Sequence, residues 1–249
     1  MKRGGWQPVN GASPGPSGRG RAMRGTSPIA APATHAGDAN FAATLIDPRY
    51  ARLIGGPAWR ALPAAVRRRF SKRLGPGDAA FYRGRIIHTR MNRAGWLLAQ
   101  LCRLAGAPLP LDRHASGAAA TVSVTEDPQG GGQVWRRRYA RPGRHVPQTV
   151  CSTKRFTGAT GCEEWVTRWL GMSLRVRAVP DGLVFESHRY RIRLFGRRPA
   201  LPRWLAPGQL TVGHHDCGGG AFDFTLRLDH PVFGTLLDQR IRFHDMDTA

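Results

Sequence analysis

The stretch "ATVSVTEDPQGGGQVWRRRYA", residues 120–140, is where the residue spacing of this chain turns into that of a sheet. Val122 and Val124 alternate with Thr121, Ser123 and Thr125, a period of two that suits a strand with one buried face. DPQGGG breaks the run with turn residues, and the answering run puts Trp135, Arg137 and Tyr139 on one face. Further alternating runs follow at TVCSTKRF (149–156), SLRVRAV (173–179), LVFESHRYRIRLF (183–195), GQLTVGHH (208–215), AFDFTLRLD (221–229) and TLLDQRIRF (235–243). Short turns join several of them, so each strand is expected to pair antiparallel with its sequence neighbour. In HRYRIRLF, Tyr190, Ile192 and Leu194 face one way and Arg189, Arg191 and Arg193 the other; much of the arginine is thus expected on a solvated sheet face.

Before residue 119 the spacing is helical. Val66, Phe70 and Leu74 recur every four residues opposite Arg67, Arg68, Lys72 and Arg73, and Pro57 and Pro63 suit the first turns of short helices. WLLAQLCRLAG (96–106) makes a second helical stretch that stops at Gly106 and Pro108 and is too short to cross a bilayer. The expected class is α+β: two or three short helices on a strongly curved antiparallel sheet or a partly closed β-barrel of about eight to ten strands.

Residues 1–40 are Gly, Pro, Ser, Ala and Arg with almost no large apolar side chain, the composition of a disordered tail, and 41–249 is expected to be a single globular domain. Most of the net charge of +22 survives removal of that tail, since 33 basic and 15 acidic side chains, a net +18, remain. All but Lys2, Lys72 and Lys154 of the 38 basic residues are arginines, as in chains translated from GC-rich genomes, but that bias does not explain the shortage of acids. An anionic partner, nucleic acid or a membrane surface, is one function class this charge admits. The N-terminus carries no apolar run of a secretory signal, and Cys102, Cys151, Cys162 and Cys217 form no C-x-x-C pair. A cytoplasmic protein without a transmembrane segment, with reduced and mostly buried cysteines, is expected.

Few motifs carry chemistry. GHHDCGGG (213–220) gathers metal-binding residue types, but a strand through Gln209–His215 puts His214 and His215 on opposite faces, with residues 216–220 forming the loop; no metal is expected there. TGATG (157–161) copies a dinucleotide loop without the apolar strand before it or the βαβ unit after it, and is read as a turn between TVCSTKRF and EEWVTRWLG. No G-x-S-x-G elbow supports a nucleophilic triad, and the four glutamates, Glu126, Glu163, Glu164 and Glu186, have no informative spacing. No catalytic residue, metal or cofactor is therefore assigned. The candidate ligand-binding residues are Trp135, Arg137 and Tyr139: an inward Arg137 must find a carboxylate or an anionic ligand, whereas an outward one would stack between the two rings.

GPAWRALP, VWRRRY, ALPRWLAPG and DHPVFGTLLDQRIRF, in that order across residues 48–243, resemble the bacterial family called domain of unknown function 4166. The resemblance implies a domain to which no activity is assigned, occurring alone, as expected here, or after a saccharopine-dehydrogenase-like Rossmann domain. The chain departs from the family pattern where GHHD replaces a common glutamate and where Asp238–Arg240 reads DQR. The leading functional expectation is non-catalytic binding of a small, partly apolar or anionic ligand in a pocket of the curved sheet. The alternatives are an accessory or catalytic role in redox metabolism, and arginine-mediated binding to nucleic acid or anionic membrane.

Overall fold

Alternation and short turns carry the chain, strand after strand, around a closed ring. The computed structural model describes residues 47–106, 108–127 and 130–245; the tail expected over 1–40 lies outside them. Three short helices, α1 (Arg49–Ile54), α2 (Gly56–Ala61) and α3 (Ala64–Phe70), precede strand β1 (Ala79–Met91) and helix α4 (Arg93–Cys102). The remaining strands are β2 (Ala119–Asp127), β3 (Gly132–Arg141), β4 (Arg144–Arg155), β5 (Glu163–Trp165) and β6 (Leu170–Val179). They continue with β7 (Gly182–Ile192), β8 (Gln209–Gly218), β9 (Ala221–His230) and β10 (Gly234–Asp245). Every strand pairs antiparallel with its neighbour in sequence, and β1 pairs with β10, so the sheet closes fully. Closure removes the exposed edges that a partly closed sheet would leave.

Two expectations are corrected. Four α-helices stand among the described residues rather than two or three, and α3 ends at Phe70, short of Leu74. The closing strand β1 lies in the region read as helical. Its alternation is hidden by a bulge between Ile86 and His88: Tyr82 and Ile86 face the core before it, Thr89 and Met91 after it, and the parity flips. The seam is tight, for a Cβ at Gly84 would run into the Arg242 carbonyl.

In a closed antiparallel barrel, successive connections alternate between the two ends. α1–α3 plug the end reached by the β2–β3, β4–β5, β6–β7 and β8–β9 turns: the buried Tyr50 ring meets Phe70, Phe156 and Phe185 edge-on, and its hydroxyl bonds Gln133. Arg49 pairs with Glu126 at 2.8 Å, and Arg69 with Asp216 and Asp245 at 3.0 Å each, fastening the plug to β2, β8 and β10. The other end receives the β1–β2 connection with α4. Asn92 caps α4 by accepting from Gly95 N at 2.7 Å and donates to Phe233 O at 2.9 Å, tying the helix to the β9–β10 turn. No helix among the described residues is long and apolar enough to cross a membrane.

Candidate functional site in the barrel interior

β3 is flanked by β2 and β4, and its alternation sends Gln133, Trp135, Arg137 and Tyr139 into the lumen together. Burying the two rings carries the guanidinium between them inward, since all three share a parity. Arg137 is 7% exposed, which overturns the outward, ring-stacked alternative. It donates to Ser152 Oγ at 3.0 Å and lies 3.7 Å from a Glu164 oxygen, while its Nε has no hydrogen-bond partner.

Lys154 and Glu164 are directly opposed across β4 and β5, with Nζ 2.9 Å from the second Glu164 oxygen. Both are buried, so two cations converge on one carboxylate. Burial alone would raise the Glu164 pKa; the charges of Lys154 and Arg137, with hydrogen bonds from Lys154 and Ser152, bring it down to about 2. Burial, aided by Arg137, holds the Lys154 ammonium below the usual lysine range despite Glu164. Aromatic faces supply the rest of its surroundings: Nζ stands 5.0 Å from the Trp135 ring and 5.3 Å from Phe185. His214 completes the layer within a cage of Phe70, Trp135, Phe185, Phe222 and Phe224. Burial and then Lys154, Arg137 and Arg69 keep its pKa far below the usual histidine range, so it is neutral.

Above this layer, toward the end opposite the plug, lies a cavity of about 80 Å³. Its floor is Arg137, Ser152 and Glu164; its walls include Met172, Leu210, Val212 and Phe224; its mouth is framed by Cys102, Pro108, Pro110 and Pro207. Two phenols, Tyr139 and Tyr190, stand between floor and mouth, and burial raises both pKa values, that of Tyr190 to about 12, so each presents a proton. Of the three residues singled out in sequence, Arg137 and Tyr139 line the cavity; Trp135 packs beneath it on His214. Glu164, Ser152 and Lys154 were not singled out. Lys154 was one of three lysines in an arginine-rich chain and Glu164 one of four glutamates, and that rarity was the available signal.

The GHHD region is strand further than expected: β8 runs through Asp216 and Cys217 with a bulge there, and the turn is Gly219–Gly220. His214 points inward; His215 is partly exposed and lies 3.1 Å from Asp181. No group of three or more His, Cys, Asp or Glu in an arrangement for a metal occurs among the described residues. TGATG forms the β4–β5 connection, with Gly158 and Gly161 at positive φ. The cysteines are free, but Cys162 alone is buried, while Cys151 and Cys217 are exposed: their strand positions point outward or sit at a bulge.

A family model described as "Domain of unknown function (DUF4166)" matches residues 62–243, from the end of α2 into β10. No curated protein and no solved structure matches the chain.

Proposed function

We propose a function from the premise that this chain belongs to the DUF4166 family, whose description assigns no activity, so that the reading rests on the barrel interior. The protein is a binding domain that takes a small, partly apolar carboxylate into the lumen, the acid meeting Arg137 and the apolar body lying among Met172, Leu210, Val212 and Phe224. The observation that carries this is the charge balance of the floor: Arg137 is buried with Nε unpartnered and shares the single carboxylate of Glu164 with Lys154. An incoming anion would supply the missing countercharge and the missing acceptor. Tyr139 and Tyr190 offer two further donors near the same volume.

Size narrows the ligand. A volume of about 80 Å³ has room for roughly five waters and falls well below the roughly 300–1,000 Å³ of clefts that engulf drug-sized molecules. The ligand is therefore a short acid, or a longer one that leaves its tail in the mouth.

Titration calorimetry with straight-chain monocarboxylates and the matching alcohols tests the reading. Saturable binding of an acid, absent for its alcohol and lost in Arg137→Met, is the expected result. Binding of no acid, or equal binding by Arg137→Met, overturns it. That variant keeps the Lys154–Glu164 pair, so a folding defect is not expected.

A further inference from the structure

The two ends of the barrel differ in chemistry. The connections opposite the plug are residues 92–118, 142–143, 166–169, 193–208 and 231–233. Of the fourteen exposed large apolar side chains among the described residues, eleven sit in these connections; Phe81, Ile87 and Val146 are the exceptions. Leu97, Leu101 and Leu104 recur at helical spacing along α4 and the turn after it, because α4 packs on β10 with its small face, Gly95 and Ala99. Phe195 and Trp204, the latter 79% exposed, project from the β7–β8 connection, and Val232 and Phe233 from the β9–β10 turn that Asn92 ties to α4.

The same connections are strongly basic. They hold eight arginines against one acid, Asp112: three in 92–118, one in 166–169 and four in 193–208. None of these eight makes an ion pair among the described residues. The turns at the plugged end, 128–131, 156–162, 180–181 and 219–220, contain no arginine and one acid, Asp181, but the plug over 47–78 adds eight basic side chains against Asp47 and Asp78. The open end is set apart by its exposed apolar residues standing among arginines, not by positive charge alone. Apolar residues interspersed with unpaired arginines, with tryptophan at the surface, are what a bilayer interface with anionic headgroups accepts. A polyanion such as RNA would be served by the arginines but not by the leucines; a second copy of this chain would bring arginine against arginine.

We infer that the rim of the open end, formed by α4 with the β5–β6, β7–β8 and β9–β10 connections, docks on the surface of an anionic lipid bilayer. The strands do not enter it, since Arg136, Arg138, Arg175 and Arg177 face outward along their length. Docking places the cavity mouth, framed by Cys102, Pro108, Pro110 and Pro207, at the headgroup level, where an amphiphilic acid would pass into the lumen. That purpose rests on the binding reading above; the docking does not, and it is tested without ligand.

The full chain is sedimented with vesicles of phosphatidylcholine and with vesicles of equimolar phosphatidylglycerol and phosphatidylcholine. Retention by the anionic vesicles only, weakening as salt rises, is expected. Arg197→Gln, Arg198→Gln and Arg203→Gln together should lower that affinity on the order of a hundredfold. Leu104→Ser with Trp204→Ser, both far exposed and without a part in the core, should lower it at least about tenfold. A blue shift of tryptophan emission on adding anionic vesicles, reduced in Trp204→Ser while Trp96 and Trp169 of the same rim keep part of it, reports the same contact independently of sedimentation. Absence of vesicle binding, binding unchanged by the rim variants, or RNA binding with no vesicle binding each overturns the proposal. Unchanged binding would place the contact elsewhere, including residues 1–40 with their five basic side chains.

Discussion

Lys154 and Glu164 face each other across β4 and β5, Nζ 2.9 Å from the carboxylate, and both are buried while Arg137 approaches the other oxygen. The floor is thus asymmetric, with two cations for one acid. Glu164→Gln strands both cations and should cost about 3–5 kcal/mol in chemical denaturation. Lys154→Met leaves Arg137 and Glu164 balanced and should cost about 1 kcal/mol or less, even though it removes the shorter ion pair. Equal costs for the two replacements would mean that the cations do not compete for the carboxylate.

The same pair sets an acid limb. Glu164 has a folded pKa of about 2, below its ordinary 4.5, so its contribution is complete above about pH 5 and is lost as pH falls through 4.5 toward 2. A difference of this size corresponds to about 3 kcal/mol. Lys154 acts in the opposite sense of charge: its folded pKa is lowered, so stability rises as pH approaches the ordinary lysine value of 10.5. Asp223 titrates in the acid window too, since hydrogen bonds from Arg242 and Arg240 outweigh its burial and hold it at about 2. Urea midpoints measured between pH 2 and 7 should therefore fall less steeply with acid in Glu164→Gln than in the parent chain, with a residual slope from Asp223.

Antiparallel order and most strands were legible because alternation survives in AFDFTLRLD and QVWRRRYA, and the full sheet follows from neighbour pairing. β1 was not, because its bulge reverses the inward parity at Ile87 and because Phe81, on the outward parity before it, is an exposed aromatic that blurs the alternation. Arg137 and Tyr139 could be nominated from one strand's spacing, whereas Glu164 comes from β5, a three-residue strand too short to show a period. The rim was hidden for a different reason. Period alone does not tell which stripe of a helix is buried, and α4 buries Gly95 and Ala99, with Leu98 half-buried beside them, while Leu97 and Leu101 face out.

Closure of the barrel should be sensitive at Gly84. It lies in β1 opposite Phe243 and Ala120, and a Cβ there meets the Arg242 carbonyl of the partner strand. Backbone cannot yield as a flexible side chain would, so Gly84→Ala should destabilise by about 1–3 kcal/mol, as overpacked sites do. Hydrogen exchange should accelerate first in β1 and β10, on both sides of the seam, while the β8–β9 hairpin keeps its protection. Uniform loss of protection across all strands would show that the seam opens only with the whole barrel.

His215 and Cys217 supply the last prediction, because they belong to the stretch with the most metal-like composition. β8 directs His214 into the aromatic cage and His215 outward to Asp181, and Cys217 is exposed with its thiol 3.7 Å from the His215 carbonyl. One metal ion cannot take both imidazoles without breaking the strand between β7 and β9. His215→Ala combined with Cys217→Ser should therefore leave metal content by elemental analysis unchanged. The thermal midpoint should move little, since the His215–Asp181 contact and the Cys217 thiol beside Arg242 lie on the solvated outer face, where such contacts are worth about 0–1 kcal/mol. One zinc per chain in the parent protein, absent from the double variant, would require residues 215–217 to leave the β8 ladder, and would turn the outer face of this hairpin into a metal centre.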